Sequence, residues 1–215
     1  MLPFRSEADL MAAAPQVSAH LASDGLLAYP TETVYGLGSA PTLRGLDRLA
    51  LLKGRAADKP FLLLVSGTAM LEEWGLVLGR QGRALAREFW PGPLTLVLRG
   101  GEGKLPDRLR GLEGGIAVRW TSHTGMAKLI SIVGHPLTST SANRPGGPAA
   151  PGPERINQLF PEAVAAGELL ILDGGALGNV PPSTLIDCTG PSPRLVREGA
   201  IPLHELRRRA GSMAP

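Results

Sequence analysis

Ten consecutive residues, Tyr29-Pro30-Thr31-Glu32-Thr33-Val34-Tyr35-Gly36-Leu37-Gly38, hold two threonines, a glutamate and two glycines. They follow Leu26-Leu27-Ala28, an apolar stretch that reads as a buried strand. Ligands of open α/β sheets bind at the carboxyl ends of strands. Hydroxyls there offer donors and acceptors, and glycines let a ligand approach the backbone closely. A tight turn with a helix cap would need only one or two such residues. A second run, Ser139-Thr140-Ser141-Ala142-Asn143, follows another strand and precedes a Gly/Pro-rich loop. Period-two alternation sends Ser139 and Ser141 to one side and Thr140 to the other. Asn143 can donate and accept at once, as adenine or phosphate recognition requires. A cap or turn rich in Ser and Thr is the plainer alternative. Ser183-Thr184 can be read the same way.

Five cations lie near the ends of expected elements: Lys53, Arg55, Lys59, Arg119 and Arg197. Arginine suits bidentate phosphate or carboxylate contacts, and lysine acts as a movable point charge. Together they could hold a triphosphate, which needs several donors. Scattered surface cations are the alternative, and for Lys53 a simple pairing with a helix C-terminus. The chain has neither GxxxxGK[ST] nor GxGxxG, so any nucleotide site is built without a P-loop or a Rossmann turn. No serine carries a His/Asp arrangement, so no nucleophilic serine is expected. His123, alone after a strand, reads as structural. The other histidines, His20, His135 and His204, lack metal-ligand spacing.

These groups need a scaffold. A helix is expected over 6–22, with Ser6 as N-cap, Glu7 and Asp9 in its first turn, and Pro15 as a threat to its continuity. A helix over 43–53 puts Leu43, Leu46, Leu49 and Ala50 on one face and Lys53 at its end. Phe61–Val65 is continuously apolar, which suggests a strand covered on both faces. Further strands are expected at 94–98, 116–118, 136–139, 169–172 and 184–187. Further helices are expected at 80–90, 124–133, 153–160 and 202–209. Interleaved strands and helices argue for a layered α/β fold. The segment 144–153 is the best candidate for a mobile loop, being rich in Gly and Pro.

Composition narrows the partners. The chain has 215 residues, 43% hydrophobic and 19% charged, enough for a substantial core. Aromatics are only 4%, which disfavours RNA modules that stack bases on aromatic platforms. A net charge of +3 fits an anionic ligand, but it is too small to imply nucleic-acid binding. The one cysteine, Cys188, excludes an internal disulfide and a Cys-rich zinc site. No signal sequence is evident and no apolar stretch approaches the ~20 residues of a membrane span, so a cytoplasmic enzyme is expected.

The ordered set of motifs resembles the YrdC family of threonylcarbamoyl-AMP synthases over about residues 17–201. It comprises the Tyr29–Gly38 run, Lys53-Gly54-Arg55 with Lys59-Pro60, Pro91–Thr95, Ala117-Val118-Arg119, Ser139–Asn143, Asp173-Gly174-Gly175, Ser183–Asp187 and Arg197-Glu198-Gly199. The resemblance implies one YrdC-like domain over 1–211, with 212–215 a frayed tail. Its fold would be a twisted mixed sheet flanked by helices, with a concave ligand-binding face. The implied reaction turns L-threonine, bicarbonate and ATP, the last with Mg²⁺, into L-threonylcarbamoyl-AMP and pyrophosphate. The product would feed a transferase complex that modifies the adenosine beside the anticodon of ANN-decoding tRNAs, and contact with tRNA is possible. Residue by residue, the resemblance puts Thr31, Arg119, Ser139 and Ser183 on threonine. It puts Lys53, Arg55, Ser141, Asn143 and Arg197 on ATP, with Lys53 and Arg55 required for catalysis.

Three positions depart from the family pattern. Leu63 and Leu64 stand near where longer members often carry a histidine. Trp120-Thr121 follows Arg119 in place of residue-Pro. Arg144-Pro145-Gly146-Gly147 replaces the usual Ser-Gly-rich loop. Two other readings compete: a nucleic-acid-binding module without activity, and carbamoyl transfer in hydrogenase maturation.

Overall fold

Residues 1–54, 59–111, 113–178 and 180–210 are described by the structure, a computed structural model. Its elements, in chain order, are β1 (Leu2–Pro3), α1 (Glu7–Ala22), β2 (Leu26–Tyr29), β3 (Gly36–Gly38), α2 (Leu43–Lys53) and β4 (Leu62–Val65). Next come α3 (Thr68–Glu73), β5 (Leu76–Val77), α4 (Arg80–Phe89), β6 (Leu94–Gly100), a 3₁₀ turn at Asp107–Leu109, β7 (Ile116–Trp120) and α5 (Thr124–Val133). The chain continues with β8 (Leu137–Ser141), α6 (Pro153–Leu159), α7 (Pro161–Ala165), β9 (Leu169–Asp173), β10 (Thr184–Asp187), β11 (Arg194–Arg197) and α8 (Leu203–Ala210).

The strands form one mixed sheet in the order β1-β9-β2-β3-β8-β4-β7-β6-β10-β11, with β5 paired to β6. The pairs β1/β9, β2/β9, β4/β7 and β6/β10 are parallel. The hydroxyl-rich strand β8 runs antiparallel to both β3 and β4. Helices flank the sheet, as expected of an α/β fold.

Local chemistry sets the ends of the elements that matter. Ser6 accepts a hydrogen bond from the Asp9 N–H at 3.1 Å, and the Ser6 N–H donates back to Asp9 at 3.0 Å. This reciprocal cap starts α1 where the sequence indicated, and Pro15 lies within the helix without ending it. Helix α2 stops at Gly54, whose φ of 54° closes the last turn in the left-handed region. That stop places Lys53 at the end of the helix, beneath β8.

Several expectations need correction. Ser139, Thr140 and Ser141 do not follow a strand: they are the second half of β8. The Tyr29–Gly38 run contains a strand of its own, β3, and its glycines answer to packing. A Cβ on Gly38 would sit 1.9 Å from the Thr138 carbonyl oxygen, and one on Gly36 would sit 2.6 Å from the Tyr29 ring. The close neighbour of these glycines is therefore the protein itself. The short elements β1, β5, β11, α3 and α7 were not anticipated. With two to six residues each, they carry too few positions to display a period, and β1 is a strand only through its pairing with the distant β9.

Candidate functional site

The residue alternation of four strands builds a cavity of about 590 Å³ on one face of the sheet. Thr95 and Val97 of β6, Ala117 and Arg119 of β7, Ser139 and Ser141 of β8, and Leu185 of β10 line it. Register aligns them in rows, with Leu185 opposite Thr95, Val97 opposite Ala117, and Leu62 of β4 opposite Ser139. The intervening residues Leu94, Leu96, Leu98, Ile116 and Val118 point the other way and are buried in the core. On β6 and β7 the cavity face thus carries Thr95, Val97, Ala117 and Arg119, and the opposite face is large and apolar.

Arg119 stands in this wall and is only 5% exposed. Its Nη2 lies 2.6 Å from Glu32 Oε1 and donates to Thr33 Oγ1 at 3.0 Å, while its Nε donates to the Gly92 carbonyl at 3.3 Å. The Glu32 Oε1 contact is an ion pair without an aligned hydrogen bond. Glu32 Oε2 accepts a short hydrogen bond from the Thr121 hydroxyl. Burial pushes the Glu32 carboxyl up, but the Arg119 charge and the Thr121 bond outweigh burial, and its pKa falls below the ordinary value.

Thr31 lines the cavity too, yet its hydroxyl organises its own turn. It donates to the Val34 carbonyl at 2.7 Å and accepts from the Thr33 and Val34 N–H groups at 3.2 Å. On the far wall Ser183 Oγ lies 2.7 Å from Thr95 Oγ1. Arg197 lines the cavity and donates to the Ser183 carbonyl at 2.9 Å. Desolvation and then repulsion from Arg119 lower the Arg197 pKa, so the two guanidinium groups share one electrostatic space.

Ser141, Asn143 and Lys53 form a knot at the end of β8. Ser141 Oγ donates to Asn143 Oδ1 at 2.8 Å, and Asn143 Nδ2 donates to the Gly147 carbonyl at 2.6 Å. The buried Lys53 ammonium donates to the Ser141 carbonyl at 2.8 Å, and also to the Asn143 carbonyl and Oδ1. Six of the nine expected site residues therefore line the cavity: Thr31, Arg119, Ser139, Ser141, Ser183 and Arg197. Lys53 and Asn143 stand behind its wall, and Arg55 lies outside the described residues. Lys59 is exposed, beside the cavity-lining Pro60.

Sequence reasoning left Glu32, Thr33, Thr95 and Thr121 unassigned, although the first three sit in quoted motifs. The available signal was charge: an arginine inside a wall needs a counter-ion, and Glu32 is the carboxylate in the neighbouring run. Thr121, where the family pattern has proline, supplies the hydroxyl that proline lacks. His123 is structural, as expected: it caps α5, accepting from the Met126 N–H at 3.2 Å, and burial lowers its pKa. Among the described residues no group of three or more His, Cys, Asp or Glu could hold a metal. A second cavity of about 570 Å³ is lined by Trp90 and Trp120, with Arg83, Arg87, Glu72 and Thr68 as its exposed polar groups. It lacks the buried hydroxyls and the buried cation of the first.

A family model for Sua5, YciO and YrdC proteins, described as "Telomere recombination", matches residues 19–199. The chain is 35% identical over 189 residues to the threonylcarbamoyl-AMP synthase of Pyrococcus abyssi (strain GE5 / Orsay), covering 87% of this chain and 54% of that protein. It is 38% identical over 176 residues to the threonylcarbamoyl-AMP synthase of Thiobacillus denitrificans, covering 81% of this chain and 90% of that one. A crystal structure of Pyrococcus abyssi Sua5 complexed with L-threonine is similar at a TM-score of 0.85 and 33% identity, over 99% of this chain and 61% of that one. This chain thus spans about half the length of the Pyrococcus relative and most of the Thiobacillus one.

Proposed function

The chain belongs to the Sua5/YciO/YrdC family, and from that premise we propose that it makes L-threonylcarbamoyl-AMP from L-threonine, bicarbonate and ATP. The observation that carries this reading is the cavity itself: two guanidinium groups, of Arg119 and Arg197, face a bed of hydroxyls. The threonine amine would add to bicarbonate, losing water and giving a carbamate. A carbamate oxygen would then attack the α-phosphorus of ATP. The bond from that phosphorus to the bridging oxygen breaks, and pyrophosphate leaves. Such a sequence needs alignment and oxyanion neutralisation more than a strong protein base.

In this reading Arg119 meets the threonine carboxylate, and Thr31, Ser139 and Ser183 surround its side chain. Arg197 and Ser141 meet ATP, and Arg55 is assigned to it by the motif. Lys53 and Asn143 serve ATP by bracing the end of β8 that presents Ser141. The donor set is one of hydroxyls and cations, and Glu32, the carboxylate beside Arg119, is engaged with it. That set fits an Mg²⁺ ion carried by the phosphates and water rather than one held in a protein cage. The product is a mixed anhydride, an activated acyl donor. Its consumer would be the transferase complex acting on adenosine in ANN-decoding tRNA. Among the described residues no helix is long and apolar enough to cross a membrane.

Mass-spectrometric detection of threonylcarbamoyl-AMP from purified protein, ATP, bicarbonate and amino acids tests the reading. Pyrophosphate release should depend on threonine. Release that ignores threonine, or requires carbamoyl phosphate, contradicts it.

A further inference from the structure

We propose that Glu32 is the positioning residue of Arg119, that Thr121 holds Glu32 in turn, and that this relay sets the affinity for the substrate's carboxylate. The inference rests on the reading that Arg119 receives the threonine carboxylate. Arg119 is held from one side: Nη2 by Glu32 and Thr33, and Nε by the Gly92 carbonyl. Among the described residues Nη1 takes no hydrogen bond, so it is the edge of the guanidinium left for an anion in the cavity that Arg119 lines. Glu32 itself is not part of the cavity wall. It lies behind Arg119, with its other oxygen on Thr121. The Thr121 hydroxyl accepts in turn from the His123 N–H at 3.1 Å, at the N-terminus of α5. The relay thus ties the turn after β2, the end of β7 and the start of α5 to a single guanidinium orientation.

Two consequences follow from the charges. The carboxylate offsets the desolvation of a guanidinium that is almost fully buried. It also fixes which N–H groups are already spent, so an incoming carboxylate meets a fork that is pre-aimed and not one that must be reoriented. Without Glu32, Nη2 regains its donors, and the nearby cavity hydroxyls and carbonyls become competing partners. Threonine binding weakens, while the phosphate chemistry, which Arg197 and Ser141 serve across the cavity, is spared.

The test is steady-state kinetics on the full chain, with calorimetric titration of L-threonine alone as a readout independent of turnover. Glu32→Gln should raise the threonine KM and Kd about tenfold or more, the loss of one charge-assisted contact. Its kcat and its KM for ATP should stay within about threefold of wild type. Because Glu32 acts through Arg119, the same substitution in an Arg119→Lys background should add less than about twofold. Thr121→Val, which keeps the carboxylate, should weaken threonine binding by about threefold to tenfold. It serves alone if Glu32→Gln does not fold. Wild-type threonine affinity in Glu32→Gln overturns the proposal, as does wild-type affinity in Thr121→Val. So does an undiminished Glu32→Gln effect in the Arg119→Lys background. A wild-type protein that neither binds threonine nor makes product overturns instead the reading on which the proposal rests.

Discussion

Arg119 and Lys53 are both buried cations, and their surroundings divide their roles. Arg119 is offset by a carboxylate and faces the cavity. Lys53 lies 5% exposed behind the wall and donates to the Ser141 carbonyl and to both oxygens of Asn143. An ammonium has three donors and no acceptor, so it suits a cluster of carbonyl oxygens where the end of a strand and the turn after it must be drawn together. Lys53→Ala removes that brace and leaves those oxygens without it. We expect product formation to fall about 10–150-fold, equivalent to roughly 1.5–3 kcal/mol, with faster amide exchange at residues 141–143 in a protein that stays folded. Wild-type turnover in Lys53→Ala contradicts the bracing role. The sequence placed this lysine correctly at a helix end, but its alternative reading as a partner of the helix dipole left out the acceptors 88 and 90 residues further along the chain.

Strand β3 shows how an element can be hidden inside a motif. Read alone, Gly36-Leu37-Gly38 resembles a flexible loop made for a ligand. In the sheet it is a strand between β2 and β8, and only glycine admits the Tyr29 ring and the Thr138 carbonyl. Gly38→Ala should therefore force the two strands apart at a cost of about 1–3 kcal/mol. That is a fall in Tm of about 2–4 °C for each kcal/mol in a chain of this length, read by thermal melting. An unchanged Tm would show that β3 tolerates the methyl. The segment after β8 is a second case. Its Gly and Pro content suggests mobility, yet the Ala150 N–H donates to the Ala142 carbonyl at 2.7 Å, and Arg144 lies 4.7 Å over the Phe160 ring. Residues 145–149 lie between those anchors, with Ala149 lining the cavity. We expect this span to close over ATP, so the amides of Gly146, Gly147 and Ala149 should gain protection from deuterium exchange with an ATP analogue and threonine. Equal protection with and without bound ligands would mark it as a rigid turn.

At the scale of the molecule, the Glu32–Arg119 pair ties two regions distant in sequence, and pH reads its contribution. The folded-state pKa of Glu32 lies below its ordinary 4.5. The unfolded chain therefore binds its proton first as pH falls. The stability due to this group is present in full above about pH 4.5 and is lost as pH drops through the lowered folded value. Melts of wild type and Glu32→Gln should differ by a constant amount from pH 7 to about 5, and the gap should narrow as pH falls below about 4.5. A gap that persists unchanged to pH 3 would mean that the carboxylate charge does not stabilise the fold.

The helices over 7–22, 43–53 and 124–133 and the strands of the central sheet were legible because their signals are local: caps, a left-handed glycine stop, and apolar runs of the right length. The candidate site was legible in part in its residue types: Thr31, Arg119, Ser139, Ser141, Ser183 and Arg197 line one cavity, whereas Gly36 and Gly38 answer to packing. Ser139 and Ser141 do line the cavity, but so does Thr140, which alternation had sent to the other side, and all three belong to the strand and do not follow it. The sequence left open who faces whom. Strands β6 and β10 meet across about ninety residues to make one wall, and β3 inserts between β2 and β8 to make another. Those pairings turn Thr95 toward Ser183, Glu32 toward Arg119 and Lys53 toward Asn143. Side-chain type is a property of the residue, and periodicity a property of its near neighbours. The partner of a buried charge depends on strand pairing between distant segments, and only the folded chain brings those segments together.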